Sequence, residues 1–106
     1  MRVSVTNCAI TPDPEKLIVT GKNINIFWEL DAMSMLYRFP DDGIKLKTPS
    51  TEFDQPEAQA NRKKFKLHDK NSRGSVPPYE YAIKVQRLVL FQWIDCPLLD
   101  PWIVNN

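Results

Sequence analysis

Apolar and polar residues alternate along two segments of this chain, one between Asn23 and Leu30 and one that begins at Tyr79. The apolar positions of the two segments are Ile24, Ile26, Trp28 and Leu30, and then Tyr79, Tyr81, Ile83 and Val85. A period of two residues is typical of a β-strand that buries one face and exposes the other. The pattern therefore predicts an all-β protein.

Shorter alternating segments repeat along the rest of the chain, with a turn signal about every ten residues. Nine prolines against three glycines exclude long helices and separate short strands. Only Asp31 to Met35 has the composition of a single helical turn, and residues 48–61 are polar and interrupted by prolines, which predicts a long loop. We expect one domain, residues 1–106, folded as a β-sandwich of seven or eight short strands, with a small closed barrel as the alternative.

The apolar run from Leu88 to Ile94 is the least certain part of this interpretation. It contains no Gly, Asn or Asp that would mark a turn. The run is either the continuation of the preceding strand or the far arm of a hairpin, and the break at Asp95 to Pro97 ends it.

Composition and sequence give only a coarse indication of the protein's cellular location. The net charge is +1, and neither a secretory leader at the N-terminus nor a long apolar span is visible. The expected location is therefore cytoplasmic, with no membrane partner. In a reducing cytosol Cys8 and Cys96 would be free thiols, and a disulfide between the first and last strands stays open as the less favoured alternative.

Four segments together resemble an uncharacterised family of bacterial all-β domains of about 100 residues. They are Tyr37 to Ile44 (YRFPDDGI), Lys64 to Asn71 (KFKLHDKN), Tyr79 to Val85 (YEYAIKV) and Leu99 to Asn105 (LDPWIVN). The family has an F-P-x-D-G-I centre, a Y-x-Y strand and a D-P-x-I-x-N end. The resemblance covers roughly residues 17–105 and implies an immunoglobulin-like or cupredoxin-like sandwich; it implies no activity.

The segment from Asp69 to Glu80 is the strongest candidate for metal chemistry. Asp69, Asn71, Gly74 and Glu80 match positions 1, 3, 6 and 12 of a calcium-binding loop. Arg73 stands where a further ligand should be, and the loop enters a strand rather than a helix. A turn between two strands is therefore the favoured interpretation, and a calcium-binding or enzymatic domain that uses this loop, with Asp69, Asn71 and Glu80 as the metal ligands, is the alternative.

Other catalytic and cofactor chemistry has little support in the sequence. A single histidine, His68, excludes a blue-copper site built within the chain and leaves a poor zinc ligand set, so His68 is expected at the surface. The adjacent Asp41 and Asp42 belong to a turn signal and are weak candidates for an acid–base pair. We expect no cofactor and no enzymatic activity.

A basic run from Arg62 to Lys66 surrounds Phe65, which is the composition of a single-strand nucleic-acid grip. The low net charge and the acidic residues just upstream favour a solvated strand face instead. A nucleic-acid binder that uses Arg62 to Lys66 is the second alternative function.

Large apolar residues are concentrated toward the C-terminus. There are more of them than a core of this size is expected to bury. The candidate interface residues are Leu88, Leu90, Phe91, Trp93 and Trp102. An exposed apolar patch of this kind usually marks an interface. We therefore predict a non-catalytic module that binds a protein partner or another copy of itself.

Overall fold

The structure, a computed structural model, describes residues 1–54, 56–59, 61–73 and 76–106. Its described residues form an all-β sandwich, as the alternating pattern predicts. The strands are β1 (Arg2–Thr6), β2 (Ala9–Asp13), β3 (Lys16–Val19), β4 (Ile24–Leu30), β5 (Tyr37–Arg38), β6 (Ile44–Leu46), β7 (Glu57–Gln59), β8 (Lys64–Asp69), β9 (Tyr79–Ile83), β10 (Gln86–Val89), β11 (Gln92–Asp95) and β12 (Trp102–Asn105).

These strands form three sheets within the described part of the chain. One sheet has five strands in the order β2-β1-β4-β8-β7, and a second has four in the order β3-β12-β9-β6. The third has three strands in the order β11-β10-β5. Neighbouring strands are antiparallel except for two parallel pairs, β1 with β4 and β12 with β3.

The core lies between the five-stranded and four-stranded sheets, and its centre is a contact between two aromatic residues. Trp28 of β4 and Tyr81 of β9 are both fully buried, with ring centroids 5.4 Å apart. The Trp28 indole Nε1–H donates a hydrogen bond of 3.1 Å to the Tyr81 hydroxyl oxygen. Because the two residues belong to facing sheets, this pair joins the layers both by apolar burial and by a directed hydrogen bond.

The described residues form twelve strands, more than the seven or eight expected, and three of these strands are only two or three residues long. β7 lies inside the segment predicted as a long loop, where Glu57–Gln59 pair with β8. The predicted helical turn is present as one 3₁₀ turn over Ala32–Ser34.

The apolar run that follows β9 forms a hairpin, which decides between the two possibilities that its sequence leaves open. Leu88 pairs with Trp93 and Val89 pairs with Gln92, so the connecting turn consists of only Leu90 and Phe91. Both turn residues have positive φ angles, 48° and 65°. These are the angles of a two-residue turn that normally carries Asn-Gly, which is why no turn signal was visible.

The expectation of free thiols is wrong: Cys8 and Cys96 form a disulfide. Cys8 lies in the turn between β1 and β2, and Cys96 directly follows β11. The bond closes a loop across a sequence separation of 88 residues and ties the base of the β10–β11 hairpin to the five-stranded sheet.

Replacing both cysteines, as in Cys8→Ser with Cys96→Ser, should lower the free energy of unfolding by about 4 kcal/mol, because the unfolded chain regains the entropy of a long closed loop. Urea unfolding of the variant measures this loss. The wild-type protein unfolded under reducing conditions is the matched control and should lose a similar amount. A loss below about 1 kcal/mol in both would contradict a stabilising cross-link.

Burial raises the pKa of the Tyr81 hydroxyl to about 12. Since an unfolded tyrosine ionises near pH 10, stability should be fully retained below about pH 10 and fall as the pH rises toward about 12, by roughly 2 to 3 kcal/mol. Urea unfolding from pH 9 to 12 tests this. The Tyr81→Phe variant, which cannot ionise there, should start less stable but decline less steeply. Equal slopes for the two proteins would refute the assignment.

Candidate interaction surface

The β10–β11 hairpin exposes apolar side chains at its turn. Leu90 is 88% exposed and Phe91 is 99% exposed. Along the arms, Val89 and Ile94 are also exposed, while Leu88 and Trp93 are half-buried. We call residues 88–94 the apolar tip.

The backbone conformation of the tip and the exposure of its side chains each cost stability. A non-glycine residue at positive φ costs on the order of 1 to 3 kcal/mol, and Leu and Phe gain none of the local hydrogen bonds that Asn or Asp would make there. The side chains also recover no burial energy, because water surrounds them. No contact among the described residues offsets either cost, and local strain of this kind is concentrated at functional sites.

A row of polar contacts supports one face of the hairpin. The Arg38 Nε–H donates to the Gln86 Oε1 at 2.8 Å, and the Gln86 Nε2 donates to the Asp95 Oδ1 at 3.0 Å. The Arg38 guanidinium carbon lies 4.4 Å from the centre of the Trp93 ring, a cation–π contact. These contacts orient Trp93 and hold a positive charge beside it.

Further apolar residues adjoin the tip on the β5 side. The Leu88 N–H donates to the Leu36 carbonyl oxygen at 2.9 Å, which places Leu36 next to the tip. Leu36 is exposed, as are Met35 and Met33 just before it in the chain. Flexible methionine side chains are frequent at binding surfaces because they adapt to a partner's shape.

The structure separates the predicted interface residues into two groups. Leu88, Leu90, Phe91 and Trp93 are together on the hairpin. Trp102 belongs to β12 of the four-stranded sheet, where it lies opposite Lys16 and Glu80 and is 44% exposed. Trp102 is therefore not part of the apolar tip.

The calcium-site candidates are separated in a similar way. Asp69 and Asn71 are buried together with Asn105: the Asp69 Oδ1 accepts the Asn71 N–H and the Asn105 Nδ2–H, each at 3.0 Å. The Asn71 Nδ2 donates to the Gly21 and Asn106 carbonyl oxygens. These bonds join β8, β12 and the turn before β4, which is a structural role.

Glu80 takes part in different contacts. It is half-buried on β9. The hydrogen bond to Asp100 raises the pKa of Lys47, and the charges of Asp100 and Glu80 add to that shift. Gly74, the predicted turn residue of the loop, lies outside the described residues. In the described part of the chain, no group of three or more His, Cys, Asp or Glu side chains is arranged to hold a metal ion. The calcium site stays a prediction without geometric support.

The basic segment does not present an aromatic platform. Phe65 is fully buried in the core. Arg62 pairs with Asp41 at 2.7 Å, and the Lys63 Nζ donates to the carbonyl oxygens of Met35 and Tyr37. Two of the cations are therefore engaged within the fold, which weakens the nucleic-acid alternative.

The remaining catalytic candidates have ordinary structural partners. Asp41 pairs with Arg62 and Asp42 pairs with Lys84, each at 2.7 Å. The His68 Nδ1 lies 2.7 Å from the Asn25 Oδ1 on the outer face of the five-stranded sheet. The two carboxylates are thus separate members of surface ion pairs.

Comparison with models of known protein families and with curated protein sequences finds no match. The resemblance to the bacterial group of all-β domains therefore stays a prediction. No helix in the described residues is long and apolar enough to cross a membrane.

Sequence reasoning missed the polar row of Arg38, Gln86 and Asp95 and the neighbouring Leu36. Each of these residues is unremarkable in the sequence, and only the pairing of β10 with both β5 and β11 brings them together. For Leu36 the sequence contains one signal: Met33, Met35 and Leu36 are apolar but lie in a segment too short to form a core strand.

Desolvation by burial raises the pKa of Asp69, and its Oδ2 has no partner among the described residues. Wild-type stability should therefore fall as the pH rises from about 4, the unfolded value, through the raised folded pKa. The Asp69→Asn variant keeps the accepting oxygen without the buried charge, and should lack this fall and be at least as stable at pH 7.

Urea unfolding of both proteins from pH 3 to 7 measures the difference. Thermal unfolding with added CaCl2 provides the second readout. A calcium-dependent rise in the wild-type melting temperature that Asp69→Asn abolishes would establish the calcium alternative and overturn the structural role.

Proposed function

We propose that this protein is a non-catalytic protein-interaction module whose binding surface is the apolar tip of the β10–β11 hairpin. The observation that carries the proposal is the pair Leu90 and Phe91. They are almost fully exposed, they have positive φ angles, and both properties cost stability. A partner that covers the tip would recover the burial energy of both side chains.

Support for a protein partner, rather than a lipid surface, comes from the edge of the hairpin. β11 is the outermost strand of its sheet in the described part of the chain. Its outward backbone groups require hydrogen-bond partners, which the hydrocarbon of a membrane does not provide. A protein can cover the apolar side chains and also pair with the strand edge.

The disulfide supports the further proposal that the module works in an oxidising compartment, because disulfides persist there and are rare in a reducing cytosol. The cytoplasmic location expected from the sequence does not agree with a bond of this kind. By fixing the base of the hairpin, the disulfide also holds the tip in one orientation before binding, which lowers the entropy cost of association.

The double variant Leu90→Asn with Phe91→Gly should separate stability from binding. Asn-Gly suits a two-residue turn with two positive φ angles, so the variant should unfold at a free energy about 1 to 2 kcal/mol higher than the wild type. The same change removes the two most exposed apolar side chains. Self-association, measured by sedimentation velocity from about 1 µM to 1 mM, should be present in the wild type and lost in the variant.

Trp102→Ser is the matched control, since it removes an exposed aromatic residue from a different sheet. It should leave self-association unchanged. A wild type that is strictly monomeric at every concentration would refute self-association, and an Asn-Gly variant that associates as strongly as the wild type would refute the apolar tip as the binding surface.

A further inference from the structure

The backbone of β11 presents two complete pairs of hydrogen-bonding groups to solvent. In an antiparallel ladder, alternate residues direct both their N–H and C=O toward the same neighbour. The Leu88 N–H donates to Leu36, so the even-numbered residues of β10 face β5 and the odd-numbered residues of β10, which pair with the even-numbered residues of β11, face β11. The Cys96 N–H donates to Val85 in agreement with this. The even-numbered residues of β11 therefore face β10. The N–H and C=O of Trp93 and Asp95 therefore point outward, away from β10.

We infer that β11 pairs antiparallel with β11 of a second copy of this chain, with Trp93 opposite Asp95 of the second copy and Ile94 on the two-fold axis. The inference rests on the proposed function and names its partner. This register forms four backbone hydrogen bonds and joins two three-stranded sheets into one. It pairs the N–H and the C=O of both outward residues in both copies, which an isologous interface requires.

The neighbouring registers are less favourable for identifiable reasons. Placing Asp95 opposite Asp95 of the second copy brings like charges together and sets Trp93 opposite Pro97, which has no N–H. Placing Trp93 opposite Trp93 of the second copy sets Asp95 against Phe91, which is in the turn. Only the register centred on Ile94 avoids both problems.

Charge complementarity supports a second copy as the partner. In this register the Asp95 carboxylate of the second copy lies on the same face of the sheet as Trp93. The Trp93 ring already carries the Arg38 guanidinium at 4.4 Å, so a negative group arrives beside a fixed positive one. The pairing is symmetric, so the dimer gains this contact twice.

The same register explains why the tip is apolar. Continuing the antiparallel count places Phe91 and Leu90 of one copy beside Pro97 and Leu98 of the other. Leu98 is 44% exposed and borders a pocket of about 270 Å³ at the base of the hairpin. Each tip therefore meets apolar surface on the opposite copy.

β11 also differs from the other strands at sheet edges. β2 contains Pro12, β3 begins with Lys16, β6 and β7 have only three residues each, and β5 bonds onward through Phe39 to Arg62. Prolines, lysines and short lengths are the usual protection of an edge against pairing. β11 is four residues long and contains neither proline nor lysine, with Asp95 as its only charged residue, so its edge is less protected than the others.

Hydrogen exchange of the wild-type protein tests the register without any substitution. At a concentration where nine-tenths of the chains are paired, the amides of Trp93 and Asp95 should exchange about tenfold more slowly than in dilute solution, because only the free tenth exchanges. The amides of Gln92 and Ile94 already bond to β10 and should change little.

Ile94→Cys provides a second test, because directly opposed residues at a non-hydrogen-bonded position lie close enough for a disulfide. Mild oxidation should give a covalent dimer that peptide mapping assigns to position 94, with Cys8–Cys96 intact. Val89→Cys, an exposed site on the inner strand β10, is the matched control and should link at least tenfold more slowly.

The outcomes distinguish the two proposals. A strictly monomeric wild type overturns this inference, because its partner is a second copy, but it does not overturn binding of a different protein by the tip. Association that depends on Leu90 and Phe91, with unchanged exchange of Trp93 and Asp95 and no preference for cross-linking at position 94, leaves the interaction module standing and overturns the paired strands.

Discussion

The contact between Trp28 and Tyr81 is the interaction on which the sandwich depends. Both residues are fully buried, and each comes from the central part of a different sheet. Apolar burial alone would allow the two layers to slide, whereas the indole-to-hydroxyl hydrogen bond specifies one relative position. The core contains a second aromatic contact, the edge-on packing of Phe39 against Phe65. Within the described residues the third sheet has no comparable aromatic pair. It is joined to the rest of the fold by β10 following directly from β9, by the disulfide, by the buried Tyr37 of β5 and by the Phe39 N–H, which donates to the Arg62 carbonyl oxygen.

The parts of the molecule that stabilise the fold are thus distinct from the part proposed to bind. The two larger sheets contain the buried polar cluster of Asp69, Asn71 and Asn105 and most of the apolar core. The hairpin extends an apolar tip and an open edge from that support. Tyr37 packs in the core while the next residue, Arg38, stacks on Trp93, so the short strand β5 connects the rigid interior with the exposed surface.

Two-residue periodicity was sufficient to predict the fold class and the inner faces of β4 and β9, since burial on one face imposes that pattern directly. Ile26, Trp28 and Leu30 are buried as predicted, as are Tyr81, Ile83 and Val85, whereas Ile24 at the start of β4 is exposed and Tyr79 at the start of β9 is half-buried. The turn at Leu90 and Phe91 could not be predicted, because its residues contradict the usual chemistry of such turns. The disulfide was equally inaccessible, since two cysteines near opposite ends carry no pairing pattern. Of the interface candidates, the sequence placed Trp102 beside the tip only because the two are close in the chain, while sheet order separates them.

The sequence separation of the two cysteines has a consequence for biosynthesis. The two cysteines are 88 residues apart, so during synthesis the Cys8 thiol has no partner until the segment that contains Cys96 has been made. Until then, the pairing of β1 with β2 and β4 is what holds this part of the fold. Chains truncated before Cys96 would keep the thiol unpaired, and a thiol-specific reagent would distinguish them from molecules that contain both cysteines.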